Sequence, residues 1–439
     1  MISSLISSQT INRDGEDIGG SRAQGRSMSS SFRDVIRNVF SNRNILVISI
    51  TTSLWSICNM SWRPYWSLYL KHVLKASIPV VGMLSMIQSS SQLLFQLPGG
   101  ILADKFGRRR IIVYGTVFRL IPPIIYLLAT TWVHVIPALL ISAMASIYMP
   151  AFNAIIADSL PHRQRGAGYG AYRMITSLPR IFMPFIGGIV MDMLGYEEGV
   201  RVFLFATIFA SIVIIIARAK FLEETLVREG RSRSARTTFT SAFEVPRTIW
   251  VMMVVATLGG FALRLVMPFM SIYAIEIIGL TNTQLGLVQT LGSVISTLLS
   301  MPGGMLSDRF GRKPMILATR CITPLTTWGI TIVKNFPQYL TVQLIGSVGA
   351  ALGGGIWGFA GGPAWQALVA DLIPREKRGT IMGTIGTITG VVGAPSSWIG
   401  GYIWNNYTPQ MPFNISLILG LLAAVIFGLF VKEPRKREE

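Results

Sequence analysis

Apolar stretches of about 20 residues, separated by short polar or turn-forming breaks, recur along the whole chain. A bilayer core about 30 Å thick takes roughly 20 helical residues at about 1.5 Å each, so each stretch predicts one membrane crossing. The crossings fall near residues 45–70, 79–103, 111–130, 133–157, 167–192 and 200–219, then 249–275, 283–307, 315–333, 338–370, 380–404 and 412–431. An even number puts both termini on one side. Residues 1–31 are Ser-rich and poor in apolar side chains, the composition of a disordered segment. From Phe32 onward the pattern changes: Phe32, Val35, Ile36, Val39 and Phe40 recur at helical spacing, with Arg33, Asp34 and Arg37 on the other face. That predicts a short helix on the membrane surface, or else a frayed extension of the first crossing. Residues 221–247 mix both charge signs with Ser and Thr, as a linker does.

The expected organisation is therefore a tail (1–44), a six-helix bundle (45–220), a linker (221–247), a second six-helix bundle (248–432) and a tail (433–439). Composition agrees: of 439 residues, 51% are hydrophobic and only 13% charged, against about 25% charged in soluble domains. This excludes an ordinary water-soluble enzyme. The net charge of +19 changes the picture only through its placement. Of the 39 Lys and Arg, 29 fall in segments on one side of the predicted crossings, and four (Lys71, Lys75, Arg201, Lys334) on the other. The positive-inside rule then places both termini and the linker in the cytoplasm, for a multi-pass protein of the plasma membrane. Basic residues scattered between apolar runs, instead of gathered on one polar face, exclude a nucleic-acid partner; the surrounding is the lipid bilayer. Cys58 and Cys321 lie in apolar segments with no metal-ligand spacing, and His72, His134 and His162 lie at loops or span ends. No cofactor or metal is expected, and no phosphate-cradling glycine loop accompanies a lysine.

An internal repeat is the strongest signal. Residues 97–110 read LPGGILADKFGRRR and residues 301–314 read MPGGMLSDRFGRKP, 204 positions apart, and the register holds back through Gly82 and Gly286 to Pro64 and Pro268. Later in each half, PAFNAIIADSLPHRQRG (150–166) matches PAWQALVADLIPREKRG (363–379) at an offset of 213, which also relates Gly187 and Gly188 to Gly400 and Gly401. Two parallel six-span halves with a substrate site between them near the midplane are one transporter architecture.

Gly100, Leu102, Ala103, Asp104, Gly107, Arg108 and Arg109, echoed by Gly304, Leu306, Ser307, Asp308, Gly311, Arg312 and Lys313, meet the loop signature of the major facilitator superfamily, which the chain resembles over roughly residues 40–432. The resemblance implies an all-α integral membrane fold of twelve transmembrane helices in two pseudo-symmetric bundles. It also implies a conformational latch in which Asp104 faces the start of span 11, Arg108 pairs with Asp158, Asp308 faces the start of span 5 and Arg312 pairs with Asp371. These contacts are expected to cross between halves when the cytoplasmic side is shut. The alternative is that the basic residues only fix topology.

Ionisable side chains at membrane depth are functional candidates. Arg180 lies about 20 Å into span 5, Arg264 about 22 Å into span 7 and Arg63 about 27 Å into span 1. Arg119 and Arg320 lie nearer the cytoplasm, within snorkelling reach. Arg180, Arg264 and Arg63 would suit an anionic solute through guanidinium–carboxylate or guanidinium–phosphate bonding; equally, each would serve as structural glue on backbone carbonyls. No Asp or Glu falls at the midplane, which departs from proton-driven antiporters. Further candidates for contact with substrate are Asn59, Gln88, Gln92, Tyr148, Gln289 and Trp357. The expectation is a monomeric secondary transporter that moves a small organic solute by alternating access, with an anionic solute favoured and the coupling ion unknown. The alternatives are a proton-coupled exporter of amphipathic drugs and a non-transporting sensor on the same scaffold.

Overall fold

The computed structural model describes residues 41–160, 165–225, 247–353 and 378–431, with Trp365 and Leu368. The surface helix expected at 32–40, Trp357 and Asp371 lie outside the described residues. Helix dominates because apolar chain in lipid must satisfy its own backbone hydrogen bonds. In the first half the helices are α1 (Arg43–Trp62), α2 (Trp66–His72), α3 (Ile78–Phe106), α4 (Arg108–Leu128), α5 (Val135–Ala145), α6 (Met149–Ser159), α7 (Arg165–Ile181) and α8 (Met183–Phe221). The second half has α9 (Arg247–Val266), α10 (Asn282–Phe310), α11 (Arg312–Gly329), α12 (Phe336–Gly353), α13 (Arg378–Gly393), α14 (Ser396–Asn406) and α15 (Met411–Phe430).

Several crossings are two helices in series. Pro64, Pro268 and Pro150 each follow a residue or turn where the α-helix tightens to 3-10 geometry, as at Arg63–Tyr65, Met267–Phe269 and Ser146–Tyr148, because proline removes a backbone donor and crowds the preceding turn. The 39-residue α8 would span about 59 Å if straight, twice the hydrocarbon core. Gly195, at φ 75° and ψ 175°, breaks it into two crossings. Seven stretches of the described residues are apolar and long enough to cross by themselves; α10, α11 and α13 are diluted by Gly, Ser, Thr and Pro, and depend on packing against their neighbours.

The two signature loops are built alike. Gly107 (φ 93°, ψ 145°) and Gly311 (φ 95°, ψ 153°) sit 204 residues apart between consecutive helices, in a backbone region open essentially to glycine alone and worth about 1–3 kcal/mol of strain for other residues. Alanine at Gly311 is expected to lower the apparent Tm of the purified protein in a detergent thermal-shift measurement. The loss at Gly107 should be larger, because a Cβ there would displace the Glu224 carboxylate from the backbone N–H groups of Arg108 and Arg109 that it caps. Equal Tm for both variants and the parent would refute the strain.

We call the end bearing these arginine-rich loops the inner end and the opposite one the outer end. Among the described residues, hydrogen bonds between the halves run from Thr290 Oγ1, which donates to the Ile181 carbonyl at 3.0 Å, outward. Ser271 donates to the Pro64 carbonyl at 2.8 Å, and Lys71 and His72 both reach Glu276, the latter at 3.0 Å. The side chain of Asp192 caps α10 from the other half, accepting from Asn282 N at 3.0 Å and Thr283 N at 2.7 Å, where the positive end of a helix favours a carboxylate. The outer end is sealed.

Candidate functional site

The repeat seen in sequence is also a repeat of contacts. A Cβ on Gly187 would strike the Ser61 carbonyl, and one on Gly400 would strike the Leu265 carbonyl. Across the halves, Gly188 abuts the Asn282 carbonyl and Gly401 that of Ile78, while Gly286 abuts Pro184 and Gly82 abuts Ser397. Each pair is related by the offsets 204 and 213. Glycine at these six positions lets helices approach backbone to backbone. Tyr65 and its repeat mate Phe269 fill the space between them. The Tyr65 hydroxyl adds bonds to the Pro184 carbonyl at 2.6 Å and the Asn282 carbonyl at 3.2 Å, which Phe269 lacks.

Below this seal lies a cavity of about 430 Å³ in the first half. Its polar wall holds five of the residues singled out from the sequence: Asn59 and Arg63 on the first crossing, Gln88 and Gln92 on α3, and Tyr148 before α6. Arg119 of α4 joins them, donating to the Tyr148 hydroxyl and placing its guanidinium carbon 3.7 Å from the Trp55 ring centroid. Its planar, weakly hydrated cation is suited to an aromatic face. The apolar wall is Trp55, Trp62, Trp66 and Tyr126, with Trp66 packed at 4.7 Å from Tyr126 and 5.2 Å from Trp62. Arg63 is exposed to the cavity while Asn59 and Tyr148 are buried in its wall. Among the described residues no Asp or Glu lines it.

Behind Tyr148, Arg218 is buried and well satisfied: Nε donates to Thr51 Oγ1 at 3.2 Å and Nη1 to Thr116 Oγ1 at 2.9 Å, with Phe152 5.4 Å beneath. Sequence reasoning counted it with the linker, one turn from the membrane edge, and passed over Arg119 as a snorkelling group. The signal that would have found the aromatic wall was present: Trp55, Asn59, Trp62, Arg63 and Trp66 share one helical face.

The other candidates lie apart from this cavity. Arg180 is exposed on α7, and Gln289 half-buried on α10, both outside its lining. Arg264 sits in the second half and donates to the Thr389 carbonyl at 3.1 Å and that of Gly390 at 3.5 Å. A single pocket of Arg63, Arg180 and Arg264 is therefore not what the structure assembles; helix-end carbonyls of α13 claim Arg264, and Arg119 takes the place beside Arg63.

The latch residues divide similarly. Asp104 and Asp308 occupy the last turns of α3 and α10. Arg108 pairs with Asp158 and also reaches the Ala154 carbonyl at 3.5 Å. This corrects the expectation that the pair crosses between halves: α4 and α6 are neighbours in one bundle, so the pair persists whatever the second half does. Glu224 caps α4 through Arg108 N at 3.0 Å and Arg109 N at 3.1 Å, tying the start of the linker to the signature loop. Arg312 is half-buried at the start of α11.

A family model described as the Major Facilitator Superfamily matches residues 46–281 and again 252–439. The chain belongs to the Major Facilitator Superfamily. Its repeated match and long apolar helices make it a multi-pass membrane protein of that superfamily. It is similar to the multi-drug resistance efflux pump PmrA of Streptococcus pneumoniae, 31% identical over 182 residues, which cover 40% of this chain and 43% of that pump. It is also similar to the multidrug resistance protein MdtG of Serratia proteamaculans, 31% identical over 194 residues, covering 43% of this chain and 44% of that protein. The chain spans less than half the length of either relative. The nucleoside transporter NupG shares the superfamily fold, with a TM-score of 0.71 at 13% identity over 89% of this chain and 99% of that one.

Proposed function

We propose that this transporter exports amphipathic organic anions from the cytoplasm across the plasma membrane, working as a monomer with both termini inside. The observation that carries the reading is the cavity wall: two guanidinium groups, Arg63 and Arg119, face amides and four large aromatic rings, with no carboxylate among the described lining residues. Guanidinium forks bind carboxylate, sulfonate or phosphate, and the Trp and Tyr rings receive the apolar body. At 430 Å³ the cavity has the size of a drug-like ligand site. A closed outer end and an open inner end would be the loading state of an exporter, and the contacts between the halves at the outer end are in keeping with it. Similarity to pumps named for multidrug resistance supports efflux over uptake. It also favours a second reading, a broad exporter indifferent to solute charge.

Counterflow in reconstituted vesicles separates the two. With fluorescent solutes of matched size, anionic members are expected to exchange at least about 10-fold faster than neutral or cationic ones, the scale of one charge-assisted hydrogen bond. Equal rates across the charge series would favour the broad exporter, and absence of any exchange would favour a sensor. Arginine–backbone contacts such as that of Arg264 then serve helix packing, while the latch aspartates, Asp104 and Asp308, act on the alternate, inner-closed conformation.

A further inference from the structure

At the outer end the halves meet around one carboxylate. Glu276, in the π-helical turn Tyr273–Ile277 of the second half, takes Lys71 and His72 from the end of α2, with His72 Nε2 3.0 Å from Glu276 Oε1. His72 and Glu276 stand 204 positions apart, so they are repeat mates. Parallel halves are related by an axis along the membrane normal, and a residue that touches its own mate lies on that axis. Identical charged residues there would repel each other; an imidazole and a carboxylate attract.

The imidazole is held in place for this contact. It stacks on the Tyr196 ring at 5.4 Å and 9°, and the Tyr196 hydroxyl donates to Asn282 Oδ1 of the second half at 2.9 Å. Asn282 Nδ2 in turn donates to Asp192 at 2.9 Å. The charged and titratable groups about His72 are therefore Lys71 on its own helix, Glu276 across the boundary, and Tyr196 and Asp192 on α8. Glu197 and Glu198, next along α8, are taken by Arg201. His72 keeps 43% of its side chain exposed while the outer end is shut, so its protonation follows the water there. The other described histidine, His134, bonds Thr130 within its own half.

We propose that His72 is a proton sensor for the outer seal: protonated, it holds Glu276 and keeps the halves together, and neutral, it lets them part. Imidazole is the side chain whose charge ordinarily changes between about pH 5 and 8. Protonation makes the contact with Glu276 charge-assisted and lays a cation on the Tyr196 ring. Lys71, on the same carboxylate, opposes this by like charge, so the net gain is that of a partly exposed pair. The pair exists only while the outer end is shut, so acid favours the closed seal. Carboxylates act in the opposite sense, because protonating Glu276 or Asp192 removes an acceptor from the seal. The sign of the response therefore identifies the group. A proton on His72 meets outer water in the closed state, so it governs the cycle without travelling with the solute, whatever the cavity carries.

The test uses the full-length protein in lipid nanodiscs with Cys58→Ser and Cys321→Ser, spin-labelled at Thr131→Cys and Lys334→Cys, exposed loop residues at the outer end of either half. Pulsed electron–electron distance measurements need no solute, so their outcome is separate from that of the export assay. The ratio of outer-open to outer-closed molecules is expected to fall about 3- to 5-fold from pH 8 to pH 5.5, the scale of a partly exposed ion pair. His72→Gln should keep the pH 8 ratio at both values, and Glu276→Gln should also remove the pH dependence. A ratio that rises in acid overturns the proposal, as does one that is the same at both pH values, a seal shut throughout included. A fall in acid that survives either substitution overturns it too.

Discussion

Leucine in place of Gly286 is expected to stop transport while the protein remains folded and monodisperse in detergent. The position faces the Pro184 carbonyl and the Tyr65 hydroxyl across the boundary between halves. A Cβ there meets backbone, which no rotamer change relieves, so α10 and α8 must separate and the outer seal must open. Overpacking of this kind costs about 1–3 kcal/mol or more, and the cost falls only on the conformation in which the outer end is shut. An equilibrium shifted by about 3 kcal/mol lowers the population of that conformation, and hence turnover, on the order of 100-fold. The check has two parts. Solute counterflow should fall to background, and a cysteine at Asn59, introduced with Cys58→Ser and Cys321→Ser, should become reactive to a membrane-impermeant maleimide added from outside. Gly383→Ala serves as the reference, since nothing lies within 4 Å of its Cβ, and it should leave outside labelling unchanged. Parental exchange rates in Gly286→Leu would remove the outer seal from the transport cycle.

The symmetry behind that expectation was legible before any coordinates, and the site was legible only in part. Gly187 and Gly400, like Gly82 and Gly286, stand in register in the sequence because both halves solve one packing problem, the close approach of paired helices. The repeat gives their positions but not which carbonyl each one meets; that depends on helix rotation, which no residue count supplies. Depth arithmetic puts Arg63 and Arg180 at similar levels along their helices, yet depth is one coordinate of three. Arg180 and Arg119 differ in the direction their helices present them, and only Arg119 finds Trp55 and Tyr148 opposite. Arg218 was harder still. It lies near the end of its crossing, where an arginine ordinarily reaches water, and the two threonines that hold it come from α1 and α4, more than 100 residues away. The Arg108–Asp158 pair is implied by the family resemblance, but its confinement to one half follows from the adjacency of α4 and α6.

Arg119→Gln is expected to cost anionic solutes about 10- to 100-fold in affinity while changing that of neutral analogues of the same shape by less than about 3-fold. The range is that of a charge-assisted hydrogen bond of about 1.5–3 kcal/mol in a site partly withdrawn from water. Glutamine keeps a hydrogen-bond donor on a shorter side chain but gives up the charge, so a uniform loss across the charge series would indicate a packing role instead. Arg63→Gln should behave in the same way with a smaller loss, because Arg63 is exposed within the cavity and water screens its charge. Arg119→Lys discriminates further. The ammonium restores the charge but neither lies flat on the Trp55 face nor bonds in a fork, so binding of carboxylates should recover only in part. Arg180→Ala is the reference that ties the effect to place instead of to net charge, since Arg180 lies outside the cavity lining. Equilibrium binding followed by quenching of the cavity tryptophans reads all four variants without requiring turnover. Losses of equal size in Arg180→Ala and Arg119→Gln would show that the wall of Arg63 and Arg119 does not select the solute.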